Sequence, residues 1–183
     1  MQLLFLMMLI AFTATARALF LCENKRILST TYVGEDHNVR VERVQCSNII
    51  LPQNDKVFVR EVLGERQSNV CGATYSTNCF PGAGGGPDPN ECHVIADALL
   101  YDSQNIGPTF DMDPAKGTSL IVMTYRSCES FIVNQTKETL QYCRTDWSNL
   151  VSYIAPNCQA TQNAHGGNCV ASDQRWFVQV QHS

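Results

Sequence analysis

The chain has 183 residues, 44% of them hydrophobic and 16% charged, with a formal net charge of −4. That length allows one domain, or one with a small appendage. The acidic balance argues against a nucleic-acid partner, which needs a basic footprint, and the apolar content excludes disorder along the whole chain.

Residues Met1 to Phe12 read MQLLFLMMLIAF, followed by small residues at Ala14, Ala16 and Ala18. An apolar run followed by A-x-A options is the pattern of a secretory signal peptide, expected over 1–18. The run is short for a bilayer, and no later stretch reaches about 20 apolar residues, so no membrane span is expected. Nine cysteines follow: Cys22, Cys46, Cys71, Cys79, Cys92, Cys128, Cys143, Cys158 and Cys169. No C-x-x-C and no spaced histidine pair accompanies them, so disulfides are expected and a metal site is not. The odd count leaves one thiol over, or one intermolecular bridge.

Composition divides the exported chain in two. From Leu19 to Val70 seven basic residues balance seven acidic ones; from Cys71 onward five face ten. Residues 19–66 read as a small β-rich N-terminal segment in which Cys22 and Cys46 can close their own loop. Val39 and Val41 alternate with Arg40 and Glu42, and Val57 and Val59 with Phe58 and Arg60, which suggests short strands. The polar stretch from Leu63 to Ser68 is either a solvated linker or the end of a pro-segment cut after Arg66. Residues 67–183 form the cysteine-rich domain.

That domain opens with Cys71-Gly72 and Cys79-Phe80, then PGAGGGPDPN over Pro81–Asn90, a loop by its four glycines and three prolines. It lacks the G-K-[ST] of a phosphate cradle and the third glycine of a dinucleotide fingerprint. A helix is expected over Glu91–Asp102, with Val94, Ile95, Ala98 and Leu99 on one face, Asp97 and Asp102 outside it, and Asp88-Pro89-Asn90 at its start. Cys92 in its first turn can pin it to the rest. Ser119–Asn134 reads as one or two strands broken near Arg126-Ser127. A second helix over Thr145–Pro156 carries the stripe Trp147, Leu150, Val151 and Ile154, with Thr145 or Asp146 as its cap. Cys143 and Cys158 flank it. Gln174–Gln181 alternates as a strand with one buried face. The sum is an α+β fold: a disulfide-stapled antiparallel sheet with two helices, an αβ-sandwich held by cross-links more than by a large apolar interior.

No G-x-S-x-G or H-E-x-x-H motif occurs, and neither a catalytic residue nor a cofactor is assigned. Cys92 and His93 adjoin in sequence, which points their side chains apart on a helix. Binding candidates are Trp176, Phe177 and His165. The first two lie on opposite faces of one strand, so one ring is expected at the surface, where a flat apolar face beside amides suits a sugar. Asn134-Gln135-Thr136 is the one N-x-[ST] acceptor, expected to carry a glycan and face solvent.

The order Cys71-Gly72, Glu91-Cys92-x-x-Ile95, Arg126-Ser127-Cys128, Tyr142-Cys143, the Trp147–Ile154 helix and the closing Trp176-Phe177-x-x-Val180 strand resembles small secreted cysteine-rich proteins of fungi. It is similar in layout to the necrosis-inducing effectors, to the killer-toxin-like αβ-sandwich and to glycan-binding secreted proteins of mushrooms. The resemblance covers Asn69 to Ser183. It implies a further cysteine between Cys71 and Cys79, a gap where Tyr75 stands here, and so one partner lost. The reading these features favour is a secreted, non-enzymatic protein that binds a glycan or cell-surface ligand, with effector or toxin character. The alternatives are a secreted nuclease or glycosidase using His165 with Asp146, Asp173 or Arg144, and a structural wall component. The oligomeric state is left open.

Overall fold

In the computed structural model, residues 21–50, 68–82 and 84–183 are described. The expected signal peptide, the Val57–Val59 strand and the Arg66 processing point lie outside them. The main sheet has seven antiparallel strands: β2 (Arg26–Val33), β3 (Val39–Gln45), β5 (Tyr75–Pro81), β7 (Leu120–Tyr125), β8 (Cys128–Asn134), β10 (Ala164–Ala171) and β11 (Trp176–His182). Their spatial order is β2-β3-β7-β8-β11-β10-β5. Two-stranded ribbons pair β1 (Leu21–Glu23) with β4 (Asn48–Ile50), and β6 (Thr109–Met112) with β9 (Leu140–Cys143). Helices α1 (Pro89–Asn105) and α2 (Arg144–Asn157) pack against each other and on one face of the sheet. This is the expected disulfide-stapled α+β sandwich. The N-terminal segment does more than precede it, because β2 and β3 extend its sheet.

The helices form where the apolar periodicity places them. Ile95, Ala98 and Leu99 of α1 are buried, as are Trp147, Leu150, Val151 and Ile154 of α2. Asp88 caps α1 by accepting the Asn90 N–H at 2.8 Å, and Pro89 takes the first turn, where a missing N–H costs nothing. Asp102 departs from expectation. It is only 7% exposed and accepts the Gly34 N–H at 3.4 Å, because the β2–β3 turn docks beside it. The α2 start also differs. Cys143 occupies the cap position without a side-chain bond, and Asp146 is turned away to accept the Gly72 N–H at 2.7 Å.

The β7–β8 hairpin turns at Arg126-Ser127, as the break in the apolar run suggests, and α1 is fastened there. The Asp88 N–H donates to Ser127 Oγ at 3.0 Å, while Glu91 accepts the Ser127 N–H and hydroxyl at 2.9 and 2.5 Å. These bonds, with a lesser contribution from Arg126, hold the Glu91 carboxyl below the usual glutamate range. The Cys92–Cys128 bridge adds the covalent staple at the same corner.

All nine cysteines are accounted for. Bridges join Cys22–Cys46, Cys71–Cys143, Cys79–Cys158 and Cys92–Cys128, and Cys169 is free and buried. Both ends of α2 are stapled to the sheet side of the fold, as the flanking cysteines suggest. The staples do not stand in for an apolar interior. One continuous cluster runs from Val39 through both helices to Val180, and a second forms on the face opposite α1 and α2, around Phe131 and Phe177. The expectation of a fold held mainly by cross-links is corrected to this extent: the bridges lie at the ends of elements whose faces are already buried.

Thr77, not Tyr75, sits opposite Cys169 across β5 and β10, with its Oγ1 3.2 Å from Cys169 Sγ. Burial pushes the Cys169 thiol up, partly offset by the bond to Thr77, so the folded chain holds it as an unreactive thiol. Directly opposed strand positions lie within disulfide range. Thr77→Cys will therefore close a further bridge to Cys169, and no thiol will titrate in denaturant; two titratable thiols would contradict the register.

Candidate functional site

Strand β11 is buried on both faces, not on one. Trp176 is 1% and Phe177 3% exposed. Trp176 lies in the helix-side core with its ring centroid 4.7 Å from that of Tyr142, and Phe177 packs edge-on against Phe131 on the other face at 6.1 Å. Period-two alternation marks opposite faces but does not say that one is wet; here both are covered. Neither ring offers a platform to a sugar, and the expected surface aromatic on this strand is absent.

His165 is half-buried at the start of β10, its Nδ1 3.0 Å from the Gly82 carbonyl oxygen and its ring tilted against Phe80. It sits beside the C-terminal end of α2, where Gly166 donates to the Cys158 carbonyl. Asp146 is at the other end of that helix, roughly 20 Å away at 1.5 Å per residue. Asp173 lies past the far end of β10 and binds Arg175 at 2.6 Å. Arg144 donates to the Gly107 and Thr109 carbonyls. The residues a His165-based hydrolase would recruit are thus in three different places, each already engaged. His93 pairs at 3.7 Å with Asp97 on the exposed side of α1, and the Cys92 beside it is bridged.

Asn134 is not a solvent-facing acceptor. It is 3% exposed. Its Nδ2 donates to the Met112 and Glu138 carbonyls at 2.9 and 2.7 Å, and its Oδ1 accepts the Thr136 N–H and hydroxyl at 2.8 and 2.9 Å. The same Asn-x-Thr spacing that reads as a sequon builds a local turn that anchors the β6–β9 ribbon to the end of β8. A sugar on Nδ2 would remove one donor and displace the ribbon.

A cleft of about 150 Å³ lies between the start of β5 and the first two turns of α2. It is lined by Gly72, Ala73, Tyr75, Tyr142, Asp146, Asn149 and Leu150. Three facts of local structure shape it. The Cys71–Cys143 bridge holds the chain entering β5 against the start of α2. Asp146 and Asn149 are three apart on the helix and share a face, with Tyr153 one turn further on. Tyr75 is on the helix side of the edge strand and is 46% exposed. Tyr142 forms the floor; burial, and then the Asp146 carboxylate, push its phenol far above the usual range, so it remains an O–H donor.

The cleft therefore combines an exposed aromatic ring, an amide, a carboxylate and a buried phenol. That set can stack against a flat apolar face and exchange hydrogen bonds with hydroxyls. Among the described residues that line it, no nucleophile stands beside a base. The Cys71, Cys143 and Asp146 ligand-type atoms lie within 4.8 Å of one another, but the two sulfurs are bonded together and no thiolate remains to hold a metal. Tyr75, Asp146 and Asn149 were not legible as a group in the sequence, since their meeting depends on the Cys71–Cys143 pairing. No family model matches the chain, and no characterised relative is found for it.

Produced in a glycosylating host, the folded chain will show no mass loss on enzymatic removal of N-linked glycans. Asn134→Ala will lower stability by about 2 kcal/mol or more, since it leaves buried carbonyls without their donor. A glycan at Asn134 on native protein would contradict the assigned turn.

Proposed function

We propose that the chain is a secreted, non-enzymatic binding protein that takes a glycan or another hydroxyl-rich cell-surface group in the cleft between β5 and α2. Export is supported by the leader-like N-terminus and by eight of nine cysteines forming bridges, a state that persists in oxidising compartments. No helix among the described residues is long and apolar enough to cross a membrane.

The observation that carries the reading is the exposed Tyr75 ring beside Asn149 and Asp146. A sugar ring presents an apolar face of axial hydrogens and a rim of hydroxyls. Tyr75 suits the first, and the amide and carboxylate suit the second. The cleft is well below the roughly 300 Å³ at which pockets enclose a drug-sized ligand. It fits one terminal residue of a larger glycan, with most of the ligand in solvent. The effector or toxin character suggested by the fungal resemblance would then rest on recognition of a surface, not on turnover.

A glycan array probed with the native protein tests this. Binding to a restricted set of glycans is expected, weakened about tenfold by Tyr75→Ala and by Asn149→Ala with the fold intact. No glycan bound, or binding that ignores both substitutions, would overturn the assignment.

A further inference from the structure

We propose that residues 21–50 are a separable module, a β-hairpin seated without any cross-link on a surface formed by the β7 edge and the face of α1 around Ala98 and Asp102. The disulfide pattern is the first ground. Cys22–Cys46 closes within the hairpin, whereas the other three bridges run only between residues 71 and 158. None joins the two parts, so the backbone through residues 51–67 is their sole covalent connection.

The seat is specific. β3 pairs with β7 from Arg40 opposite Thr124 to Val44 opposite Leu120. Val39 enters the helix-side core and Val44 the cluster on the other face, so one strand plugs both layers. At the turn, Gly34 has φ +86° and lies so close to α1 that a Cβ there would be 2.9 Å from Ala98 Cβ. Its N–H reaches Asp102 Oδ1 at 3.4 Å, which explains a buried carboxylate on a helix side that the sequence marks as polar. The outer strand β2 is exposed along nearly its whole length, so the module is held on one side only.

Two consequences follow from the geometry. The internal bridge joins the ends of the hairpin whether it is docked or not, so a released module stays organised and loses less entropy on rebinding. Without it, β7 would present unpaired backbone groups between residues that are apolar on both faces, the condition under which sheet edges pair with other chains. The hairpin is the cap on that edge. The cleft with Tyr75 lies at the opposite edge of the sheet, so this inference stands or falls apart from the binding assignment.

The test uses the full chain with a site-specific protease sequence inserted between Asn54 and Asp55, cut while folded. The two pieces are expected to co-elute in native buffer, to separate in urea without reductant, and to recombine when urea is removed. Gly34→Ala should weaken the recombined pair about tenfold or more, since both the positive φ and Ala98 oppose a side chain. Pieces that stay joined in urea until reductant is added would overturn the proposal. So would pieces that part at once in native buffer, or an affinity indifferent to Gly34→Ala.

Discussion

The placement of the two helices on the sheet depends on where their ends are tied. A helix layer on a sheet must fix both the distance and the rotation of each helix, and here three bridges do so at three termini. Cys92–Cys128 pins the start of α1 to the β7–β8 corner, Cys71–Cys143 fixes the start of α2, and Cys79–Cys158 fixes its end. Between those points the apolar faces do the ordinary work of packing. Trp147 donates from its indole to Ser130 on the sheet, and Ser148 donates to the Ala96 carbonyl of α1, both buried. The bridges restrict the unfolded chain while the core stabilises the folded one, and the two contributions are separate in kind.

The same ties create the candidate site. Cys71–Cys143 brings Gly72 to the start of α2, where Asp146 accepts its N–H instead of capping its own helix. Gly72 and Asp146 both line the cleft beside Tyr75. At the other end of α2 the contacts are different: Gln159 donates to the Pro87 and Ala155 carbonyls, and His165 is held at Gly82. The two ends of one helix thus differ in chemistry because different loops are tied to them.

Both helices were legible because their apolar residues recur at 3.6-residue spacing and tertiary packing uses the faces so marked. The β7–β8 break was legible from the polar Arg126-Ser127 pair. What escaped the sequence lay in tertiary contacts. Asp102 looked like a solvent position until the Gly34 turn covered it. Phe177 looked like one half of a wet-and-dry pair, but the sheet has apolar clusters on both sides. Asn134 carried a modification motif whose three residues make an internal turn. Tyr75, which the resemblance marks only as standing between Cys71 and Cys79, is the exposed ring of the cleft, and Thr77 is the residue opposite Cys169. Local pattern reports which face a residue takes; it does not report what lies against that face.

The sulfur network divides the chain into a self-closed hairpin and a triply stapled sandwich. Non-reducing peptide mapping of the native protein by mass spectrometry measures this directly. It should recover Cys22 with Cys46, Cys71 with Cys143, Cys79 with Cys158 and Cys92 with Cys128, and Cys169 as a thiol. A bridge from Cys22 or Cys46 to any cysteine beyond residue 70, or Cys169 found in a bridge, would contradict it.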